Sequence, residues 1–141
     1  MGRLAARCKQ MRRTVSLGDR GERAAIRFLK RQRYIIIAQS QRNQLGEIDI
    51  IAVDRSNQQR TIVFIEVKTR TSTDKGHPAD AVDEAKQMQI SRLATAYCRQ
   101  HALDKYPCRF DIVAITWESE SRSPQIEHYR AAFDAITGPY E

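Results

Sequence analysis

Two stretches decide the fold: Gly46-Glu47-Ile48-Asp49-Ile50-Ile51-Ala52-Val53 and Thr61-Ile62-Val63-Phe64-Ile65-Glu66-Val67-Lys68-Thr69-Arg70. Both are rich in β-branched residues and alternate in polarity, which predicts strands. The seven polar residues Asp54 to Arg60 separate them and predict a hairpin with a longer loop. Side chains alternate between faces along a strand. That rule groups Glu47, Asp49 and Ile51 on one face of the first strand. It groups Ile62, Phe64, Glu66 and Lys68 on one face of the second. Ile48, Ile50, Ile65 and Val67 fall on the opposite face, toward helices. In such a hairpin Asp49 sits beside Glu66 and Lys68.

Carboxylates crowded on apolar strands repel one another, and burial penalises each charged form. A divalent cation relieves both penalties. Mg²⁺ is hard, takes oxygen ligands, and is commonly held by one or two carboxylates plus water and phosphate. A neighbouring lysine is then free to polarise an attacking water or to meet a phosphate oxygen. Asp49, Glu66 and Lys68 therefore fit metal-dependent hydrolysis of a phosphodiester. The competing reading is a cross-strand ion pair on an exposed sheet.

Gly46-Glu47-Ile48-Asp49 followed by Phe64-Ile65-Glu66-Val67-Lys68-Thr69-Arg70 resembles the bacterial YraN-type family. That family is placed in the PD-(D/E)xK superfamily, near archaeal Holliday-junction resolvases. The resemblance covers roughly Ser16 to Phe133. It implies an α/β, restriction-endonuclease-like sandwich with a central mixed β-sheet flanked by helices. It also implies a Mg²⁺- or Mn²⁺-dependent endonuclease acting on DNA, including branched recombination or repair intermediates. Asp49 and Glu66 would hold the metal, with the Val67 carbonyl as a further ligand. A catalytically weak nucleic-acid-binding scaffold on the same fold is the alternative. Resolvase-like relatives act as dimers, so a homodimer presenting two sites to two strands is part of the expectation.

At 141 residues with 41% hydrophobic content, the chain has the size and composition of one globular domain. The expected organisation is a basic arm over residues 1–15, a nuclease-like domain over 16–137 and a tail over 138–141. The net charge of +7 favours an anionic partner, nucleic acid before membrane. Arg3, Arg7, Lys9, Arg12 and Arg13 give the arm no acidic counterpart, so it can add phosphate contacts that ignore sequence. Cys8, Cys98 and Cys108 form no CxxC pair, and His77, His101 and His128 are equally scattered, so neither set has zinc-ligand spacing. With no apolar segment of signal-peptide or transmembrane character, the expected location is the cytoplasm.

Ser16 or Asp19 is placed to cap a helix running to about Arg33. Glu22 projects from the edge of its apolar stripe. It is either a first-turn acid that interacts with the helix dipole or a carboxylate that leans toward the metal. The resemblance favours the second, because Gly21-Glu22-x-x-Ala matches the helix that supplies an extra acid in related nucleases. Tyr34 to Ala38 predicts a short strand, and Gln39 to Leu45 a polar connector containing Arg42. Arg70 and Lys75 stand at the loop after Lys68 and are candidates for phosphate contact. Ala79 to about His101 predicts the longest helix. Lys86 lies on its apolar stripe, where it either snorkels over the sheet or points toward a substrate phosphate. The nucleic-acid-binding candidates are thus Arg70, Lys75, Lys86 and Arg42. Arg109 to Trp117 and Gln125 to Arg130 predict two more strands, the last at an edge. Asp111 matches the family's Arg-Phe-Asp segment, where an auxiliary or structural role is expected rather than primary metal ligation, and His128 matches an aromatic or histidine position expected to serve packing.

Overall fold

In the computed structural model, which describes residues 15–71, 76–118 and 123–136, five strands form one sheet with a helix packed on each face. In chain order these are α1 (Leu17–Arg31), β1 (Ile35–Asn43), β2 (Gly46–Asp54), β3 (Thr61–Arg70), α2 (Glu84–Gln100), β4 (Cys108–Thr116) and β5 (Gln125–Phe133). The spatial order is β1-β2-β3-β4-β5. Only β3 and β4 are parallel, joined through α2, and every other neighbouring pair is antiparallel. This is the expected mixed-sheet α/β sandwich.

Local chemistry sets the helix limits. The Ser16 hydroxyl accepts from the Asp19 amide at 3.1 Å and starts α1, while Lys30 and Arg31 complement the dipole in its last turn. Arg33 takes a φ of +67° and turns the chain into β1, so α1 stops short of the expected Arg33. Helix α2 begins at Glu84 rather than Ala79, because Asp83 Oδ1 caps it by accepting from the Lys86 amide at 2.8 Å. The preceding Pro78–Ala81 forms a separate 3₁₀ turn.

The polar connector expected at Gln39 to Leu45 is mostly strand. β1 continues to Asn43 because pairing with the apolar β2 satisfies its backbone, and an edge strand keeps polar side chains in water. Asn43 and Gly46 close a two-residue turn, with Asn43 Oδ1 accepting from the Leu45 amide at 2.7 Å. Gly46 has a φ of +139°, and a Cβ there would lie 2.4 Å from the Gln89 side-chain nitrogen. The positive φ favours glycine, and any side chain would also make Gln89 shift. β5 is an edge strand as expected but extends to Phe133, past a break in register where Ala131 has a φ of +48°.

Two apolar clusters fill the space on either side of the sheet. Ala25 and Leu29 of α1 pack with Ile50, Val63, Ile65, Val113 and Ile115. Ile90 and Leu93 of α2 pack with Ile48, Ile51, Ile62, Phe64 and Ile112. Burial of these side chains is the main favourable term holding the layers together. No helix of the described residues is long and apolar enough to cross a membrane. Residues 1–14, which hold nearly all of the expected basic arm, lie outside the described residues, as do Lys75 and the 138–141 tail.

Candidate active site

Strands β2 and β3 pair from Asp54↔Thr61 to Ile50↔Ile65. Beyond that point a side chain replaces the backbone ladder, and Asp49 Oδ2 accepts from the Val67 amide at 2.8 Å. Alternation also breaks here. Ile48 and Ile51 both join the α2-side cluster although they are three positions apart, a step that alternation puts on opposite faces. Asp49 and Glu47 consequently turn toward α1, which corrects the expected sharing of a face with Ile51. Asp49 lines a cleft of about 320 Å³ with Leu17, Gly18, Asp19, Glu22, Val67 and Thr69.

Three carboxylates converge on the α1 side. One oxygen each from Glu22, Glu47 and Asp49 lies within 4.8 Å of the others. Glu22 reaches this point because α1 lies almost on β3: a Cβ on Gly21 would be 1.8 Å from Thr69 Oγ1. Burial pushes the Glu22 carboxyl up, and the charges of Glu47, Asp19 and Glu66 push the same way against a hydrogen bond from Ser40. Asp49 is pushed up to about 7, first by burial and then by the charge of Glu66, although the Val67 amide favours its ionised form. Glu47 was not among the sequence candidates for a ligand. Its only signal was its place two residues before Asp49.

The cations approach from the α2 side. Glu66 is buried, and its Oε1 lies 3.3 Å from Lys68 Nζ and 3.8 Å from Lys86 Nζ. Glu66 and Lys68 share the face of Phe64, as alternation requires. Lys68 and Lys86 line a groove of about 700 Å³ with Leu45, Asp83, Gln89 and Arg92. The site therefore straddles the sheet: Glu22, Glu47 and Asp49 on the α1 side meet Glu66, Lys68 and Lys86 through the gap between β2 and β3. The donors are all carboxylate oxygens, crowded enough to hold a proton near neutrality. That set fits a hard divalent cation such as Mg²⁺ or Mn²⁺.

The remaining candidates lie around this centre. Arg42 Nη2 pairs with Glu47 Oε2 at 2.7 Å, so it screens one carboxylate of the cluster. Arg70 follows Lys68 on β3 and donates from Nη1 to the Gly76 carbonyl, which ties the strand end to the loop.

A second polar cluster lies at the opposite end of the sheet, on the α1 face. Arg109 donates to Asp54, Tyr34 and both oxygens of Asp111, at 2.8–2.9 Å. Asp111 also bonds the His128 ring and accepts from the Ala131 amide. Burial would raise Asp111, but His128, Arg109 and Ala131 hold it below its ordinary value. Its role is structural, pinning the break in β5.

A five-stranded mixed sheet between helices, with an acidic cluster where two central strands part, defines a restriction-endonuclease-like α/β sandwich. The profile of the uncharacterised protein family UPF0102 matches residues 21–115. A UPF0102 protein of Rhodopirellula baltica is 47% identical over 123 residues, covering 86% of this chain and 72% of the relative. UPF0102 proteins of Geobacter metallireducens and Chlorobium phaeobacteroides are 46% and 44% identical, covering 84% and 83% of this chain and 93% of each relative. The chain belongs to the UPF0102 (YraN) family.

Proposed function

We propose that this chain is a Mg²⁺- or Mn²⁺-dependent endonuclease that hydrolyses DNA phosphodiesters. The convergence of Glu22, Glu47 and Asp49 on one point at the parting of β2 and β3, with Glu66 near enough to raise Asp49, carries the proposal. Asp49 and Glu66 would hold the cation, with Glu22 and Glu47 supporting them and the Val67 carbonyl as a further ligand. When bound, the cation supplies Lewis-acid polarisation of a phosphoryl oxygen and a more acidic water. Lys68, whose ammonium lies 3.3 Å from Glu66 Oε1, would orient an attacking water or help its deprotonation. Lys86 meets a substrate phosphate, and Arg70, Lys75 and Arg42 add contacts to the backbone. Cytoplasmic location, structure-specific DNA and a homodimer with paired sites belong to the same proposal.

One observation favours a second reading. Two lysines already stand within 4 Å of Glu66, so they offset part of its charge without a metal. A nucleic-acid-binding scaffold with no turnover would use the same residues.

End-labelled four-way junction, flap, single-stranded and duplex DNA, incubated with Mg²⁺, Mn²⁺, Ca²⁺ or EDTA, separates the two. Cleavage in Mg²⁺ or Mn²⁺ that is absent in EDTA and in Glu66→Ala supports the nuclease. Salt-sensitive binding with no cleavage in any metal supports the scaffold.

A further inference from the structure

The outer face of α1 carries Arg20, Arg23, Arg27, Lys30 and Arg31, all exposed. At 100° per residue these five side chains fall within an arc of about 100°, spread over about 17 Å of helix. Like charges three and four residues apart repel. None of the five is in an ion pair with a described residue. The site acid Glu22 lies well off this arc, and the first-turn acid Asp19 lies at its edge, one turn before Arg23. The face thus carries a concentrated excess of positive charge, with Asp19 at its first turn as the one acid of α1 beside it.

We infer that this face of α1 tracks the phosphate backbone of nucleic acid and leads it to the cleft beside Glu22; the inference rests on the nucleic-acid reading of the site. Two observations connect stripe and site. The Arg20 guanidinium lies 4.8 Å from the centre of the Trp117 ring, and the Trp117 amide donates to the Arg70 carbonyl at 3.0 Å. The stripe therefore begins beside the ends of β3 and β4. Gly21, next to Arg20, is the point where α1 touches Thr69 of the cleft. An anionic membrane is the poorer occupant. An interfacial helix needs its apolar face available, whereas Ala24, Ala25 and Leu29 are buried against the sheet.

The test is duplex DNA affinity in EDTA across a salt series, which reads binding without turnover. Arg23→Gln, Arg27→Gln, Lys30→Gln and Arg31→Gln are combined in one variant. A control combines Arg55→Gln, Arg60→Gln, Arg99→Gln and Lys105→Gln and removes the same four charges elsewhere. The α1 variant is expected to lose at least tenfold in affinity at moderate salt. Its slope of log K against log salt should fall by about 3–4, near 0.9 per lost phosphate contact, while the control stays close to wild type. A third variant, Arg23→Lys, Arg27→Lys and Arg31→Lys, keeps the charge and should keep the slope, which separates lost contacts from a damaged helix. Equal losses in the α1 and control variants, or no loss in either, would overturn the inference. So would loss of binding to phosphatidylserine vesicles with DNA affinity intact. DNA binding through α1 with no cleavage in any metal would remove the nuclease reading and leave this inference standing.

Discussion

Asp49 meets β3 through its carboxylate and not its backbone: Oδ2 accepts from the Val67 amide at 2.8 Å, just past the last paired residues, Ile50 and Ile65. That bond orients the acid at the gap between the strands and sets it beside Glu66. It also gives the ionised carboxylate one partner in a place where burial and two other acids oppose its charge.

Lys68 is the residue assigned to the attacking water. Lys68→Ala is expected to lower cleavage by about 10²–10⁴-fold, the range for loss of a positioned proton-transfer group. Lys68 is partly exposed, so the melting temperature should move by no more than a few degrees. Single-turnover cleavage beside thermal denaturation checks both, and cleavage near the wild-type rate would remove the assignment.

Asp49 predicts a pH signature of stability in the absence of metal. Its folded value of about 7 stands above the ordinary 3.8, so the folded chain holds a proton that the unfolded chain has released. The resulting stability is fully present below about pH 4 and is lost as pH rises through about 7. Asp49→Asn keeps an acceptor for the Val67 amide and removes the titration. In EDTA this variant should melt higher than wild type at pH 8, with the gap closing toward pH 5. A gap that does not change with pH would contradict the assignment.

Much of the strand alternation was readable from Ile62, Phe64, Ile65 and Val67, each of which packs on the face its position requires. The break at Asp49 was not. It depends on where β2 stops pairing with β3, and local sequence does not encode a pairing limit. The longer β1 was hidden for a related reason, since Gln39 to Asn43 are polar at an edge and carry no alternation. Glu47 was overlooked because its cluster forms only after β2 has turned it toward α1. Glu22 was legible only through the family resemblance of Gly21-Glu22-x-x-Ala; the physical reason, a Gly21 without a side chain that lets α1 approach Thr69, shows in the structure alone.

Gly21 tests that approach. A methyl at this position collides with Thr69 Oγ1 at 1.8 Å and Cβ at 2.9 Å. Gly21→Ala should destabilise the fold by about 1–3 kcal/mol, the usual range for overpacking. Cleavage by the remaining folded protein should also fall, because Glu22 moves with the helix. Adding Thr69→Ala removes the closer clash and should recover part of both losses. Urea denaturation of the single and double variants measures this, and additive effects would contradict the contact.

Arg109 tests the distal cluster. Arg109→Met leaves Asp54 and Asp111 buried without their main cation and should cost about 3–5 kcal/mol. Cleavage per folded molecule should hold, since these residues lie at the other end of the sheet. Burial would raise Asp54, but the Ser56 amide and Arg109 hold it down to about 2. Its contribution is therefore present above about pH 4 and lost as pH falls toward 2. An acid denaturation series should show that arm in wild type and a weaker one in Arg109→Met.

Calorimetric titration of Mn²⁺ into the wild-type chain and into Asp49→Asn, run near pH 7 in two buffers of different ionisation enthalpy, addresses the acidic cluster itself. The predicted result is saturable binding by wild type with proton release, because Asp49 must ionise to take the cation, and loss of that binding in Asp49→Asn. Absence of Mn²⁺ binding in wild type, or equal binding by the two chains, would contradict a metal centre at Asp49.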